Sequence, residues 1–148
     1  MPEKVPLEPM FGALTPGAMN AAGARYLPGY LGVEIMEVAG PRVRARLVIQ
    51  PHHLAPNGFL HAATVVALAD TCCGYGCFAS LPQGATGFTT IELKSNHLGT
   101  AREGTIASRA TPLHLGKTTQ VWDAVVSHKD TGKTIALFRC TQLVLYPK

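Results

Sequence analysis

Charge is scarce in this chain. Asp, Glu, Lys and Arg make up 15% of its 148 residues, against roughly 25% in soluble globular proteins. Hydrophobic residues reach 47%, enough for a real core in a single domain. So little charge implies further burial, either in an oligomer or at a membrane. A secretory signal is not expected either. The opening MPEKVPLEPMFGALTPG carries Glu3, Lys4 and Glu8 among scattered prolines. It has neither a basic start nor a continuous apolar run. A disulfide framework is excluded too. Three of the four cysteines, Cys72, Cys73 and Cys77, crowd one apolar segment, with Cys140 far away. That pattern fits reduced thiols and a cytoplasmic setting.

Clustered positive charge is absent. The net charge is +4, but Arg42, Arg44, Arg46, Lys94, Arg102, Arg109, Lys117, Lys129 and Lys133 are dispersed. A nucleic-acid footprint gathers its charge, so no nucleic-acid partner is expected. The excess suits a small anionic ligand, or simply solubility. No paired zinc spacing occurs, and no G-x-S-x-G elbow supplies a serine nucleophile. No metal site is expected.

What is present has a clear order. Residues 1–30, rich in Pro, Gly and Ala, read as a lead-in with one short helix over 18–26. A strand is expected over 32–38 and a second over 42–50. The second alternates Val43, Ala45, Leu47 and Ile49 against Arg42, Arg44 and Arg46, a half-exposed antiparallel pattern. Residues 51–58 form a loop. Residues 59–81 are apolar nearly all round and predict one long buried helix, its last turns loosened by Gly74 and Gly76. Strands follow over 87–97, 104–110, 118–128 and 133–146, the last two joined as a hairpin through Asp130 and Gly132. One apolar helix with a largely antiparallel sheet is an α+β arrangement. The curved sheet is expected to wrap the helix, with residues 31–148 as one domain.

The long apolar segment also has bilayer length. Asp70 lies at its middle, where a carboxylate costs about 2.5–3.5 kcal/mol on insertion scales. His61 adds to that cost, so no membrane span is expected.

Asp70 is the only charged residue between Gln50 and Glu92. A carboxylate inside a buried helix must be paired, hydrogen-bonded or protonated. Burial suits it as a general base, and equally a structural carboxylate satisfied by neighbours. His61 precedes it by nine residues. At 100° per residue those two positions face opposite sides of one regular helix. They could meet only across a symmetric dimer; otherwise His61 caps the helix or packs in the core. The helix start after Asn57-Gly58 offers free N–H groups for an oxyanion, as any helix start does. Thr89 and Thr90 face opposite sides of a strand, so only one can reach the helix. His114-Leu115-Gly116-Lys117-Thr118-Thr119 joins two strands, where glycine, lysine and hydroxyls suit phosphate oxygens or merely form a connection.

Together these residues resemble the PaaI-like branch of the hotdog thioesterases. The likeness runs from about Leu31 to Tyr146. It rests on Gly58, His61 and Asp70 at the family's spacing, on Thr89-Thr90-Ile91-Glu92-Leu93-Lys94, on the 114–118 segment and on Thr131-Gly132-Lys133. It implies a hotdog fold and hydrolysis of an acyl-CoA thioester without metal or cofactor. By resemblance, Asp70 activates water or attacks the carbonyl. The Ala62 N–H binds the oxyanion, His61 positions the thioester, and Thr90 assists the water or carboxylate. CoA would lie near Asn57, Gly58, Asn96, His97, Gly116, Lys117 and Thr118. The resemblance implies a homodimer that pairs into a homotetramer, with each site between protomers. Two positions depart from the family: its His-Gly-Gly reads His61-Ala62-Ala63, and Ala55 replaces the usual Gln or Asn, a role open to His53 or Asn57. Two other readings stay open, a non-catalytic acyl-CoA-binding protein and a hotdog dehydratase.

Overall fold

The computed structural model describes residues 11–148. The first ten residues of the expected lead-in lie outside that range. The rest of the lead-in forms two short helices where one was expected. Thr15 Oγ1 accepts the Ala18 N–H at 3.2 Å and starts α1 (Pro16–Gly23). The chain is extended at Tyr26, then turns through α2 (Leu27–Leu31), which Gly32 ends at φ 80°. Met19 is fully buried, and Asn20 bonds both the N–H and C=O of Ile35. The lead-in is thus tied to the first strand by an amide that mimics a neighbouring backbone.

Six strands follow: β1 (Glu34–Ala39), β2 (Arg42–Val48), β3 (Gly87–His97), β4 (Thr105–Leu115), β5 (Thr119–His128) and β6 (Thr134–Leu145). They form one antiparallel sheet in the order β1-β2-β4-β5-β6-β3. α3 (Ala62–Ala79) packs along its inner face against β2 to β6. This is the expected hotdog arrangement. In β2 the alternation holds: Val43, Ala45 and Leu47 are buried while Arg42 and Arg44 face out.

Three boundaries differ for physical reasons. Phe59, Leu60 and His61 are not helical. Leu60 bridges Leu54 and His61 is extended at ψ 134°, so the helix begins at Ala62. β4 runs on through Pro112 to Leu115. β2 pairs with it only as far as Ala110. Past that point β4 is an edge, where a residue without an N–H is tolerated. Finally, Gly74 and Gly76 do not loosen α3. A Cβ on Gly76 would stand 2.6 Å from the Trp122 ring, and one on Gly74 would stand 3.1 Å from Phe88. The glycines let two aromatic rings approach the helix backbone, and the helix continues to Ala79.

A bulge in β3 aims the site. The β3–β6 register shifts between Thr90 and Glu92. Thr90 pairs with buried Gln142 and Leu93 with buried Cys140. Both therefore lie on the inner side of the sheet, although strict alternation would send one of them out; Thr90 reaches α3 there, while Leu93 stays exposed.

Candidate active site

The start of α3 is held by its loop. Asn57 Oδ1 accepts the Phe59 N–H at 3.1 Å, and Gly58 turns at φ 85°. The His61 N–H donates to the His53 carbonyl, which also accepts the Thr64 hydroxyl. His61 is the helix cap: its Nδ1 accepts the Ala63 N–H at 2.9 Å. That bond places the proton of the neutral ring on Nε2, which remains a free donor. The Ala62 N–H has no acceptor among the described residues. Two donors, Ala62 N–H and His61 Nε2–H, are thereby left at an exposed helix start.

Both open into a pocket of about 510 Å3, lined also by Asn57, Val65 and His97. Arg102 stacks on the Phe59 ring beside it, 4.1 Å from the ring centre. Asp70 does not line this pocket. Eight residues of helix separate it from Ala62, about 12 Å along the axis. His61 and Asp70 are therefore not brought together within one chain.

Asp70 sits at the edge of the buried helix face. Thr90 Oγ1 lies 3.2 Å from its Oδ1 and 2.9 Å from Gln142 Oε1. Burial pushes the Asp70 carboxyl above its ordinary value, and the Thr90 hydroxyl partly offsets this. Beside it, Cys73 is raised well above a normal thiol by the Cys140 thiol it contacts and by burial. Burial pushes Cys72 and Cys77 up to about 12. Such thiols stay protonated and are poor nucleophiles.

The expected CoA residues divide into three groups. Asn57, Gly58 and His97 lie around the helix start. Asn96 faces the other side of the sheet, where it pairs with exposed Leu137. Gly116, Lys117 and Thr118 form the β4–β5 turn at the far end. His97 pairs with Ala136 and Thr119 with Leu143. Seven residues of β6 thus separate the two ends, about 23 Å. Two hydrogen bonds tie the turn: Gly116 N–H donates to the Thr119 carbonyl, and the Tyr146 hydroxyl donates to the Lys117 carbonyl. A Cβ on Gly116 would meet that Thr119 oxygen at 2.7 Å. Lys117 stays exposed.

Other placements sharpen the inventory. His53 cannot stand in for the family's amide at Ala55. It is 1% exposed, its Nδ1 accepts the Gln50 N–H, and its Nε2 donates to the Leu31 carbonyl. Arg44, Arg46 and Arg139 are paired with Glu37, Glu34 and Asp123. A larger groove of about 640 Å3 follows the outer face beside Arg42, Arg44 and Arg109. None of the expected site residues lines it, so its size does not make it the site. Among the described residues no three His, Cys, Asp or Glu side chains converge as a metal site would need. Among the described residues one helix, Ala62–Ala79, has membrane-spanning length and hydropathy, and it is the central core helix.

Sequence reasoning missed Gln142. It is fully buried, and the alternation of residues 133–146 already placed it on the inner face beside Cys140 and Val144. A glutamine in an apolar row was the signal.

Comparison with known proteins places the fold and the family. The family model described as "Thioesterase superfamily" matches residues 57–135. The 1,4-dihydroxy-2-naphthoyl-CoA hydrolase of Escherichia coli is 28% identical over 89% of this chain and 96% of its own. Thioesterase HI1161 from Haemophilus influenzae superposes with TM-score 0.83 at 28% identity, covering 89% of this chain and 91% of that one. The PaaI protein of Escherichia coli shares the fold at TM-score 0.72 and 24% identity, over 80% of this chain and 83% of that one. The matched segment spans more than half of the chain, from the loop that caps α3 into β6, and the chain belongs to the thioesterase superfamily, whose general chemistry is thioester hydrolysis.

Proposed function

We propose that this protein hydrolyses an acyl-CoA thioester in a site completed by a second copy of the chain. One observation carries the reading. Each chain holds a prepared donor end and a prepared carboxylate on the same helix, too far apart to act on one carbonyl. A two-fold dimer places the donor end of one chain against the Asp70 of the other. Two surfaces favour such a partner. β3 is an open sheet edge with Ile91 and Leu93 exposed, a feature that stable proteins cover. The side of α3 carrying Ala63, Val66, Ala67 and Asp70 is only partly covered.

In this reading the thioester carbonyl rests on Ala62 N–H, which is aimed where negative charge develops. His61 Nε2–H positions the thioester. Ionised Asp70 takes a proton from water or attacks the carbonyl, and Thr90 holds the carboxylate. Lys117, with Gly116 and Thr118, meets the CoA phosphates from the far end of the sheet. Asn57, Gly58 and His97 line the nearer part of the path, and Asn96 contacts CoA from the sheet's outer face. No metal or bound cofactor takes part. The dimer pairs into a tetramer, and the four free buried thiols suit a reducing cytoplasm.

An aromatic acyl-CoA is the first substrate to try, given the named substrate of the Escherichia coli relative. The test is release of free CoA from aryl and short-, medium- and long-chain acyl-CoAs, with Asp70→Asn as control. The reading expects turnover of at least one thioester and its loss in the variant. Retention of acyl-CoA with no turnover across the panel would instead make this a binding protein.

A further inference from the structure

We propose that Gln142 is a positioning residue for Asp70: its amide NH2 faces Thr90 and commits that threonine's only proton to the carboxylate. The inference rests on the reading of Asp70 as the reacting group. It begins from a shortage of protons. Thr90 Oγ1 lies within hydrogen-bond distance of two oxygens, Asp70 Oδ1 and Gln142 Oε1. A hydroxyl has one proton to give.

Consider the amide with its oxygen toward Thr90. The hydroxyl then donates along the shorter contact, to Gln142. Asp70 Oδ1 faces the lone pairs of Thr90 at 3.2 Å without a donor. The amide NH2 is left with the Cys140 sulfur at 3.3 Å, a weak acceptor. Two polar groups, one half-buried and one buried, are poorly served, and each such group is costly.

Turning the amide by 180° repairs both. The two ends of the amide are almost equal in size, so nothing else moves. Nε2 donates to Thr90 Oγ1, Thr90 donates to Asp70 Oδ1, and the Cys140 S–H donates to Oε1. The chain of bonds runs in one direction and ends on the carboxylate. It fixes Oδ1 and leaves Oδ2 to react.

The neighbouring glutamine shows what an ordinary structural role looks like here. Gln120 lies directly across from Gln142 on β5 and is equally buried. Its Oε1 accepts the Trp122 indole N–H and its Nε2 donates to the Ser80 carbonyl. Both partners have fixed polarity, so that amide has one orientation and ties α3 to the sheet. Gln142 has no fixed partner. Its orientation is decided only by what Asp70 needs.

Few other groups bear on the titration of Asp70. On α3 the Cys73 thiol faces it, with the Cys140 thiol of β6 behind. From β3 it meets Thr90, which does not titrate, while Glu92 and Lys94 turn to the other side of the sheet. In the proposed dimer the partner subunit's His61 would be the remaining ionisable neighbour.

The test is the pH profile of kcat for Gln142→Met, which keeps the volume and removes the donor. Expected is a fall in kcat on the order of tenfold, as for one lost neutral hydrogen bond in the chain that ends on the carboxylate, with KM within about twofold. The acid limb should move to higher pH. Thr90→Val, which removes the bond to the carboxylate itself, should move it further, the double variant no further than Thr90→Val alone, and Thr90→Ser should keep it in place. An unmoved limb in Gln142→Met, or additive shifts in the double variant, overturns the proposal. Wild-type turnover by Asp70→Asn would instead overturn the active-site reading on which it rests. If Gln142→Met lacks a cooperative thermal transition, the 15N-labelled protein decides. The Gln142 side-chain amide protons should shift on Thr90→Val, and unshifted signals contradict the proposal.

Discussion

Two side chains carry opposite pH signatures. Asp70 holds its proton more tightly when folded than when unfolded. Stability therefore falls as pH rises through its folded pKa and is regained below its ordinary value. At neutral pH the charge is a standing cost. Asp70→Asn should reduce turnover by at least about a hundredfold yet raise stability by about 0.5–2 kcal/mol, the range gained by relieving a functional group. Assay and thermal melt on the same preparation check both. His53 is pushed below its ordinary value of 6.5, first by burial, with the Leu31 carbonyl opposing and His52 adding. The unfolded ring takes a proton that the folded ring refuses. Its contribution is complete above about 6.5 and is lost as pH falls below it. His53→Gln should therefore lose less stability than wild type when urea unfolding is moved from pH 7.5 to 5.5.

At the scale of elements, α3 shows where a sequence is legible and where it is not. Its existence followed from composition, because 18 residues with one charge have nowhere to lie but a core. Its start did not. A histidine before an alanine-rich run reads as helix, and only the folded loop shows that His61 Nδ1 caps Ala63. The result matters chemically, since the cap leaves Ala62 N–H and Nε2–H free. The glycines were misjudged because propensity is local and their partners, Phe88 and Trp122, lie on strands far along the chain. Gly76→Ala should improve helix propensity by about 1 kcal/mol and still lose about 1–3 kcal/mol net by driving a methyl into Trp122. Gly74→Ala, with 3.1 Å to a ring edge, should cost less; chemical denaturation of both variants ranks them. The β3 bulge was equally hidden. A one-residue register shift leaves no mark in composition, yet it puts both Thr90 and Leu93 on the inner side of the sheet.

The whole molecule explains why so little charge is tolerated. The sheet wraps α3 on one side, and the residual apolar surface includes Ile91 and Leu93 of β3 and the half-covered side of α3 around Asp70. The expected site residues fall into separate clusters; the opposed faces of His61 and Asp70 were legible from their spacing, while the span between the helix start and the Lys117 turn depends on the folded sheet. Lys117 stands at the far turn, so its removal should raise KM for acyl-CoA about threefold to tenfold with little change in kcat, the signature of lost phosphate attraction. A substrate lacking the CoA phosphates should not notice the change. The central claim is that the donor end and the carboxylate act from different chains. Subunit mixing tests it most directly. Asp70→Asn and His61→Ala chains, each inactive alone, are unfolded together and refolded. In a mixed dimer one site keeps both groups, so activity should return to about a quarter of wild type when chains pair at random. A mixture no more active than the two separate variants would place the whole site within one chain and contradict the account.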